Sequence, residues 1–230
     1  HIQAKDGYTA LHNACQDTSE SDIAHYLLDQ GADINTRNRW GTTPLIDACI
    51  KNNGNTASYL IDRGADLNIH DKLNDHTALM YACVFNRGDI VRCLVDQGAD
   101  LNTQDKHNGF TALMIACKKN HADIARYLVD QKRADLNIQD KDGYTALMHA
   151  CEHNHVDIAH YLVDQLERID LNIQDNNGYT ALMHACKLNH ADIACYLVDQ
   201  LERVDLNIRN KDGYTTLMHA CEHNHVDIAR

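Results

Sequence analysis

The sequence predicts an all-α solenoid, in which helix-turn-helix units are stacked and joined by short β-hairpin-like loops. The first observation is that residues 142–159 return along the whole chain with small edits. The second is a fixed step of 34 or 35 residues between equivalent threonines, which are Thr9, Thr43, Thr77, Thr111, Thr145, Thr180 and Thr215. The third is that every copy has apolar residues at helical spacing. A constant period of this length indicates stacked repeats, each in contact only with its neighbours.

The residues of one copy predict its elements in order. Gly143 supplies the positive φ that a tight turn requires. Thr145 is placed to cap the first helix through its hydroxyl. The apolar face of that helix recurs at i, i+3 and i+4, with Leu147, Ala150 and Cys151. Asn154 ends it, since asparagine tolerates the left-handed conformation, and Asp157 lies in the first turn of a second helix, where its charge suits the helix dipole. The second helix has its own apolar face, with Ile158, Ala159, Tyr161, Leu162 and Val163.

Two motifs accompany the period. Residues 41–49 begin Gly-Thr-Thr-Pro-Leu and end Ala-Cys, and residues 31–35, 64–68 and 98–102 read Gly-Ala-Asp-x-Asn. In these motifs the chain resembles an array of ankyrin repeats, and the resemblance covers essentially all 230 residues. It implies a single domain, 1–230, of about seven repeats cut from a longer array. The implied repeats are about 5–38, 39–72, 73–106, 107–140, 141–175, 176–210 and an incomplete 211–230.

The copies depart from the family pattern at a few places. The histidine that follows leucine in the family is kept only at His12, and the glycine between the helices is mostly asparagine. Asp75 replaces the turn glycine of the third copy, and residues 166–170 and 201–205 expand the outgoing loop by two residues. These departures affect local loop geometry and leave the predicted fold unchanged.

Composition excludes several classes of function. The chain has 21 basic and 33 acidic residues, a net charge of −12, which argues against a nucleic-acid partner. No apolar run approaches the ~20 residues of a membrane span, which argues against direct membrane insertion.

Seven of nine cysteines hold one repeat position, at Cys15, Cys49, Cys83, Cys117, Cys151, Cys186 and Cys221. Packed helices hold such positions too far apart for disulfides, so we expect small core thiols in a reducing, cytoplasmic compartment.

Histidine is the residue type that most suggests a chemical site. His149 and His153 are four residues apart, as are His219 and His223, a spacing that can chelate zinc. The competing interpretation is a solvated helix face copied by duplication, and no third ligand follows at a predictable spacing. We therefore predict no metal and no cofactor. A nucleophile elbow, a phosphate-binding loop and a dinucleotide fingerprint are all missing from the sequence, so an enzyme is not expected.

A second group of histidines holds a position that the family also conserves between its helices. These are His121, His155, His190 and His225. We expect them to make structural hydrogen bonds.

The resemblance also implies a possible modification. In related proteins an asparaginyl hydroxylase modifies asparagines at positions that here include Asn35, Asn68 and Asn102. The alternative is that these side chains only bind the loop backbone.

The resemblance further implies that partners bind the turn tips and the concave groove formed by the first helices. Trp40 is the only tryptophan and lies in a turn expected to be exposed, while Ile50, Val84 and Phe85 are apolar at groove positions that are polar in most copies. Exposed apolar clusters rimmed by charge mark interaction sites, and the predicted basic rim includes Lys51, Lys118 and Lys119. The expected partner is a protein segment with an apolar anchor flanked by acidic residues. The alternative is that Trp40 packs on the preceding loop and that Phe85 covers a local gap.

The main interpretation is therefore a non-catalytic protein-binding module. A second is a structural spacer within a longer array, as in scaffold, channel or effector proteins, since copies five to seven are nearly identical. A third is an enzyme whose catalytic domain lies outside these residues.

Overall fold

The computed structural model describes residues 3–17, 21–165, 167–200 and 202–222. Within these ranges it has thirteen α-helices and no strand, which confirms the all-α repeat fold. The helices are α1 (Ala10–Gln16), α2 (Ser21–Asp29), α3 (Pro44–Lys51), α4 (Gly54–Asp62), α5 (Ala78–Val84), α6 (Gly88–Asp96), α7 (Ala112–Lys118), α8 (Ala122–Asp130), α9 (Ala146–Glu152), α10 (Val156–Val163), α11 (Ala181–Lys187), α12 (Ala191–Val198) and α13 (Thr216–Glu222).

The helices form two compact units, His1–His107 with α1 to α6 and Asn108–Arg230 with α7 to α13. In the first unit, α1 packs on α3 and α3 on α5, while α2 packs on α4 and α4 on α6. In the second unit the series α7, α9, α11 and α13 packs in order, and so does the series α8, α10 and α12. Each unit therefore stacks first helices on first helices and second helices on second helices, as a repeat architecture requires.

The threonine of each copy caps its first helix as the sequence predicts. Thr43 Oγ1 accepts the backbone N–H of Ile46 at 3.3 Å, and Thr145 Oγ1 accepts that of Met148 at 3.3 Å. The same bond recurs at Thr9, Thr77, Thr111, Thr180 and Thr215. Pro44 occupies the first position of α3, where a missing N–H costs nothing.

The asparagine between the two helices of a copy adopts the predicted left-handed conformation. The positive φ angles are 61° at Asn52, 57° at Asn86, 59° at Asn120, 56° at Asn154 and 60° at Asn189. Asn224 lies outside the described residues. Asparagine thus replaces the glycine of the family pattern without changing the turn.

Glycine is the residue that fits this turn at the lowest steric cost, and alanine fits it poorly. We expect Asn154→Ala to lower the free energy of unfolding by about 1 kcal/mol, since a Cβ is disfavoured at positive φ. Asn154→Gly should leave stability unchanged or raise it slightly. Urea denaturation of both variants measures the difference, and equal stabilities would contradict this explanation.

The loops that lead into each first helix are closed turns rather than strands. In the loop before α9, Asp140 N–H donates to Tyr144 O at 2.9 Å and Gly143 N–H to Asp140 O at 3.0 Å. The Asp140 carboxylate accepts the amides of Asp142 and Tyr144. The sequence predicted β-hairpin-like loops, and within the described ranges they carry these turn bonds without a β-ladder.

Asp75 has φ of 57°, so it replaces the turn glycine in the glycine conformation. Its carboxylate accepts the backbone amide of Lys106 at 2.9 Å and lies 3.2 Å from the Lys106 ammonium. The aspartate therefore compensates its unfavourable backbone with bonds to the next copy, which glycine cannot make.

Cysteine fills the core position of the first helices. None of the nine cysteines, all within the described ranges, is in a disulfide, and the six equivalent ones from Cys15 to Cys186 are buried, while Cys221 is exposed. Burial raises the pKa of the Cys49, Cys83 and Cys151 thiols. These thiols are neutral packing groups, as predicted.

None of the helices within the described ranges combines the length and the apolar character of a membrane span.

Candidate protein-binding site

A cleft of about 300 Å³ in the first unit brings together three of the predicted binding residues, Trp40, Ile50 and Lys51. We call it the Trp40 cleft. Its walls also include Tyr8, Gln16, Thr42, Asp47, Asp71, Leu73 and Tyr81. The cleft combines three aromatic rings and two aliphatic side chains with one ammonium and two carboxylates.

Trp40 is half-buried rather than fully exposed at its turn. Its ring meets Tyr8 of the preceding copy edge to face, with 5.6 Å between the centroids. The guanidinium carbon of Arg39 lies 4.0 Å from the centroid of the Trp40 ring. Trp40 thus packs on the preceding loop, as the alternative interpretation expected, and still forms part of the cleft wall.

Phe85 extends the aromatic surface next to the cleft. It is 40% exposed and stacks on Tyr81 with 6.3 Å between the ring centroids and an interplanar angle of 7°. The Arg87 guanidinium lies 5.8 Å from the centroid of Phe85 and donates to the Ile50 carbonyl at 3.4 Å. Val84 is half-buried and does not line the cleft. Tyr81 is the residue that joins Phe85 to the Trp40 cleft.

The two carboxylates of the cleft differ in their surroundings. Asp71 accepts the backbone amides of Leu73 at 2.9 Å and His76 at 2.7 Å, and the Tyr81 hydroxyl at 3.2 Å. Asp47 is only 4% exposed and accepts the side-chain amide of Gln16 at 3.2 Å. Burial raises the pKa of Asp47 to about 6. Both carboxylates therefore lie buried on the floor of the cleft, away from its exposed rim.

Sequence reasoning missed Asp47 and Tyr81. The position equivalent to Asp47 is Asn13 in the first copy, Ile115 in the fourth and histidine in copies five to seven. The sequence did contain a signal for Asp47. It is a carboxylate one residue before the buried Ala-Cys pair, at a position that is uncharged in the copies named above.

The other two predicted rim residues, Lys118 and Lys119, are exposed and belong to the second unit. The Lys118 ammonium lies 4.8 Å from the centroid of the Phe110 ring. Their role in partner binding remains a prediction.

The expectation that His149 projects from a solvated helix face is wrong. His149 is 4% exposed, and its Nε2 lies 2.8 Å from an oxygen of Asp140. His184 pairs with Asp175 in the same way at 3.0 Å. The loop carboxylate lies beneath the first helix and supplies a hydrogen-bond acceptor, so the imidazole is buried with this nitrogen satisfied.

The remaining zinc candidates do not join His149 in one cluster. His153 is exposed and His223 lies outside the described residues. Across the described part of the chain, no group of three or more histidine, cysteine, aspartate or glutamate residues has a geometry suited to a metal ion. That the chain binds no metal stays a prediction.

Two of the histidines between the helices, His155 and His190, make the predicted structural bonds. His155 Nδ1 donates to the Cys117 carbonyl at 2.7 Å, and His190 Nδ1 to the Cys151 carbonyl at 2.7 Å. Each bond joins a second helix to the first helix of the preceding copy. His225 lies outside the described residues.

The asparagines considered for hydroxylation connect successive copies. Asn35 Oδ1 accepts the backbone amide of Asp66 at 2.9 Å, and Asn68 Oδ1 accepts that of Asp100 at 3.2 Å. Asn102 is exposed. The first two side chains thus bind the loop backbone of the following copy. Their modification stays a prediction.

Comparison with known proteins identifies the repeats. A family model of ankyrin repeats in three copies matches residues 1–71, 21–105, 79–175 and 165–230. The crystal structure of the ankyrin repeat domain of Bcl-3, a unique member of the IkappaB protein family, is similar with a TM-score of 0.85 and 26% identity, over 97% of this chain and 99% of that one. The human ASB11 ankyrin repeat domain shares the fold, with a TM-score of 0.74 and 22% identity over 93% and 92% of the two chains. No curated protein matches the sequence. The chain belongs to the ankyrin-repeat family.

Proposed function

We propose that this chain is a non-catalytic module that binds a protein partner through the loop tips and first helices of its first unit. Ankyrin-repeat domains are generally protein–protein interaction modules. The observation that carries the finer proposal is the Trp40 cleft, where three residues of predicted binding type form one concave surface next to the exposed ring of Phe85. Concave sites with aromatic walls and a few polar groups favour binding.

The charges around the cleft favour a partner with acidic residues beside an apolar anchor. Arg39, Lys51 and Arg87 surround the aromatic walls and carry the exposed or half-exposed positive charge. The carboxylates lie on the buried floor, where Asp71 is 2% and Asp47 4% exposed and both accept hydrogen bonds from the protein. An apolar side chain therefore meets the aromatic walls, while flanking carboxylates meet the cations.

The buried cysteines form no disulfide, which favours a reducing compartment, since such compartments keep thiols reduced. We therefore place the chain in the cytoplasm. The division into about seven repeats within one domain belongs to the same proposal.

A structural spacer remains the second candidate, favoured by a bond that recurs in both units. Tyr59, Tyr161 and Tyr196 donate in the same manner to Asp29, Asp130 and Asp164 of the preceding copies. Such repeated copy-to-copy bonds stabilise an array without creating a distinct binding surface. On this alternative, peptides find no preferred position on the chain.

Selection of random peptides displayed on phage against the immobilised chain tests the proposal. We expect enriched peptides with one large apolar residue flanked by aspartate or glutamate. Trp40→Ala and Phe85→Ala should each weaken their binding by about 2 kcal/mol, roughly a thirtyfold rise in Kd, because each removes an aromatic anchor. Calorimetry or fluorescence anisotropy measures Kd, and circular dichroism checks that the fold is kept.

Leu188→Ala is the matched control. Leu188 is 44% exposed, close to Phe85 at 40%, and lies in the second unit. Its truncation removes a similar apolar surface and should leave Kd unchanged. Normal binding by both first-unit variants, or selection of peptides without an apolar residue, would refute the assignment.

A further inference from the structure

A second cleft, of about 430 Å³, lies in the second unit and has a different chemical character. We call it the Tyr144 cleft. Its walls include the rings of Phe110 and Tyr144, His149, the carboxylates of Asp140, Asp142 and Glu152, and the ammonium of Lys118. Most of its lining is polar, and its three carboxylates outnumber its one ammonium, which lies against the Phe110 ring.

The neighbouring copies show what usually occupies the space beside such a ring. The Lys118 ammonium lies 4.8 Å from the centroid of Phe110. The Lys187 ammonium lies 4.6 Å from the centroid of Tyr179 and 3.5 Å from its hydroxyl oxygen. Each lysine follows its aromatic residue by eight positions, and at the same spacing Tyr144 is followed by Glu152. The cation that covers the ring in copies four and six is thus replaced by an anion in copy five.

The space for a cation exists beside Tyr144, because its ring has the same neighbours as Tyr179. Tyr144 contacts His149 and His184, with centroid distances of 5.2 and 4.8 Å. Tyr179 contacts His184 and His219, at 5.3 and 5.1 Å. Lys187 reaches the Tyr179 ring although two imidazoles also contact it. An ammonium from another molecule therefore has an equivalent position on Tyr144.

The fifth copy carries a second substitution toward negative charge. The residue two before the loop aromatic is Asn108 in copy four and Asn177 in copy six, but Asp142 in copy five. Asp142 is exposed and Glu152 is half-buried, and both line the cleft. Compared with copies four and six, these two substitutions remove one cation and add two anions near the Tyr144 ring. The Tyr144 site therefore attracts positive charge, whereas the rings of Phe110 and Tyr179 already have a lysine.

His149 offers an independent indication of the ligand. It is buried, lines the cleft, and places its Nε2 2.8 Å from the Asp140 carboxylate. Its Nδ1 has no hydrogen-bond partner in the described structure. This buried polar atom at the cleft wall is left for a bound ligand to satisfy.

We propose that the Tyr144 cleft binds a lysine side chain of a partner protein, with the ammonium against the Tyr144 ring and Glu152 and Asp142 as its counterions. Cation–π attraction favours an ammonium at this distance from a tyrosine ring, and the net charge of −12 attracts a basic segment. This site is separate from the Trp40 cleft in residues and in ligand charge. Its success or failure is therefore independent of the proposed function.

Titration of the full chain with Nα-acetyl-lysine methylamide tests the site directly. Two-dimensional NMR should show saturating shifts of the Tyr144 ring and of the Glu152 and Asp142 amides. The Nα,Nε-diacetyl compound keeps the side chain without its charge and should cause no such shifts. Equal shifts with both compounds would overturn the proposal, and so would the absence of saturable shifts with the charged one.

Glu152→Lys is the decisive variant, because it rebuilds the lysine that copies four and six already contain. We expect it to fold and to lose at least tenfold in affinity for the charged probe. Glu202→Lys makes the same change in net charge at an exposed position of the same unit and should retain affinity within about twofold. Unchanged affinity in Glu152→Lys would refute the site. If Glu152→Lys fails to fold, Glu152→Gln gives the same test, and undiminished affinity in that variant would refute the site equally.

Discussion

Replacing Gly143 with alanine should lower the free energy of unfolding by about 3 kcal/mol. Gly143 has φ of +83°, and a Cβ at this position would lie 2.6 Å from the backbone nitrogen of Asn176 and 2.9 Å from the carbonyl carbon of Asp175. Both atoms belong to the backbone of the next loop, so no side-chain rotation relieves the collision. The next loop would have to move, although its Asn176 N–H donates to the Asp142 carbonyl at 2.9 Å. The substitution therefore disrupts the contact between two copies.

Gly64→Ala separates the two causes of this loss. Gly64 has φ of +81°, nearly the same, but a Cβ added there would have no heavy atom of another residue within 4 Å beyond its chain neighbours. We expect a loss of about 1 kcal/mol from the positive φ alone. Urea denaturation at pH ~7.5 measures both variants. Equal losses would show that the close approach of the two loops contributes nothing.

The fold followed from the sequence because each copy repeats its own local signals. Thr145 caps a helix whether or not its neighbours are known, and Asn154 ends that helix for a reason internal to the turn. The stacking of first helices on first helices then follows from the period, since adjacent copies present similar apolar faces. Local chemistry and the repeat length together determine the architecture.

The candidate site could be predicted only in part. Trp40 and Ile50 were found because they differ from equivalent residues in other copies, and Lys51 was found as part of the basic rim; all three share one cleft. Tyr81 was missed because its role depends on contacts with Phe85 and Asp71, which are visible only once the loops and helices are packed. Comparison of copies identifies unusual residues but does not show what they touch.

His149 shows the opposite error. Its helical position and its similarity to His153 favoured a solvated face, yet it is buried against Asp140. The two partners are nine residues apart, and the pairing recurs as His184 with Asp175. The recurrence of an aspartate nine residues before a helical histidine was present in the sequence. Helical spacing alone, however, does not show that the preceding loop lies under the helix.

Asp47→Asn should stabilise the protein by up to about 3 kcal/mol at pH ~7.5. Burial raises the pKa of Asp47 to about 6, some two units above its ordinary value of ~3.9, and each unit corresponds to about 1.4 kcal/mol. At this pH the folded protein therefore carries the cost of a charged carboxylate that is only 4% exposed. Asparagine has nearly the same shape and keeps an oxygen that accepts the Gln16 amide, so it removes the charge with little change in packing.

The pH dependence of this gain has a definite sign. Because the folded carboxyl holds its proton more tightly than the unfolded one, its contribution to stability is full below pH ~4 and is lost as the pH rises through about 6. The advantage of Asp47→Asn should therefore be largest above pH ~6 and shrink toward zero near pH ~4. Urea denaturation at pH ~4.5 and ~7.5 tests this, with Asp62→Asn, an exposed residue of α4, as the control that should show little change at either pH. The explanation fails if Asp47→Asn is less stable than the parent protein at pH ~7.5. It fails equally if the gain in the free energy of unfolding is the same at both pH values.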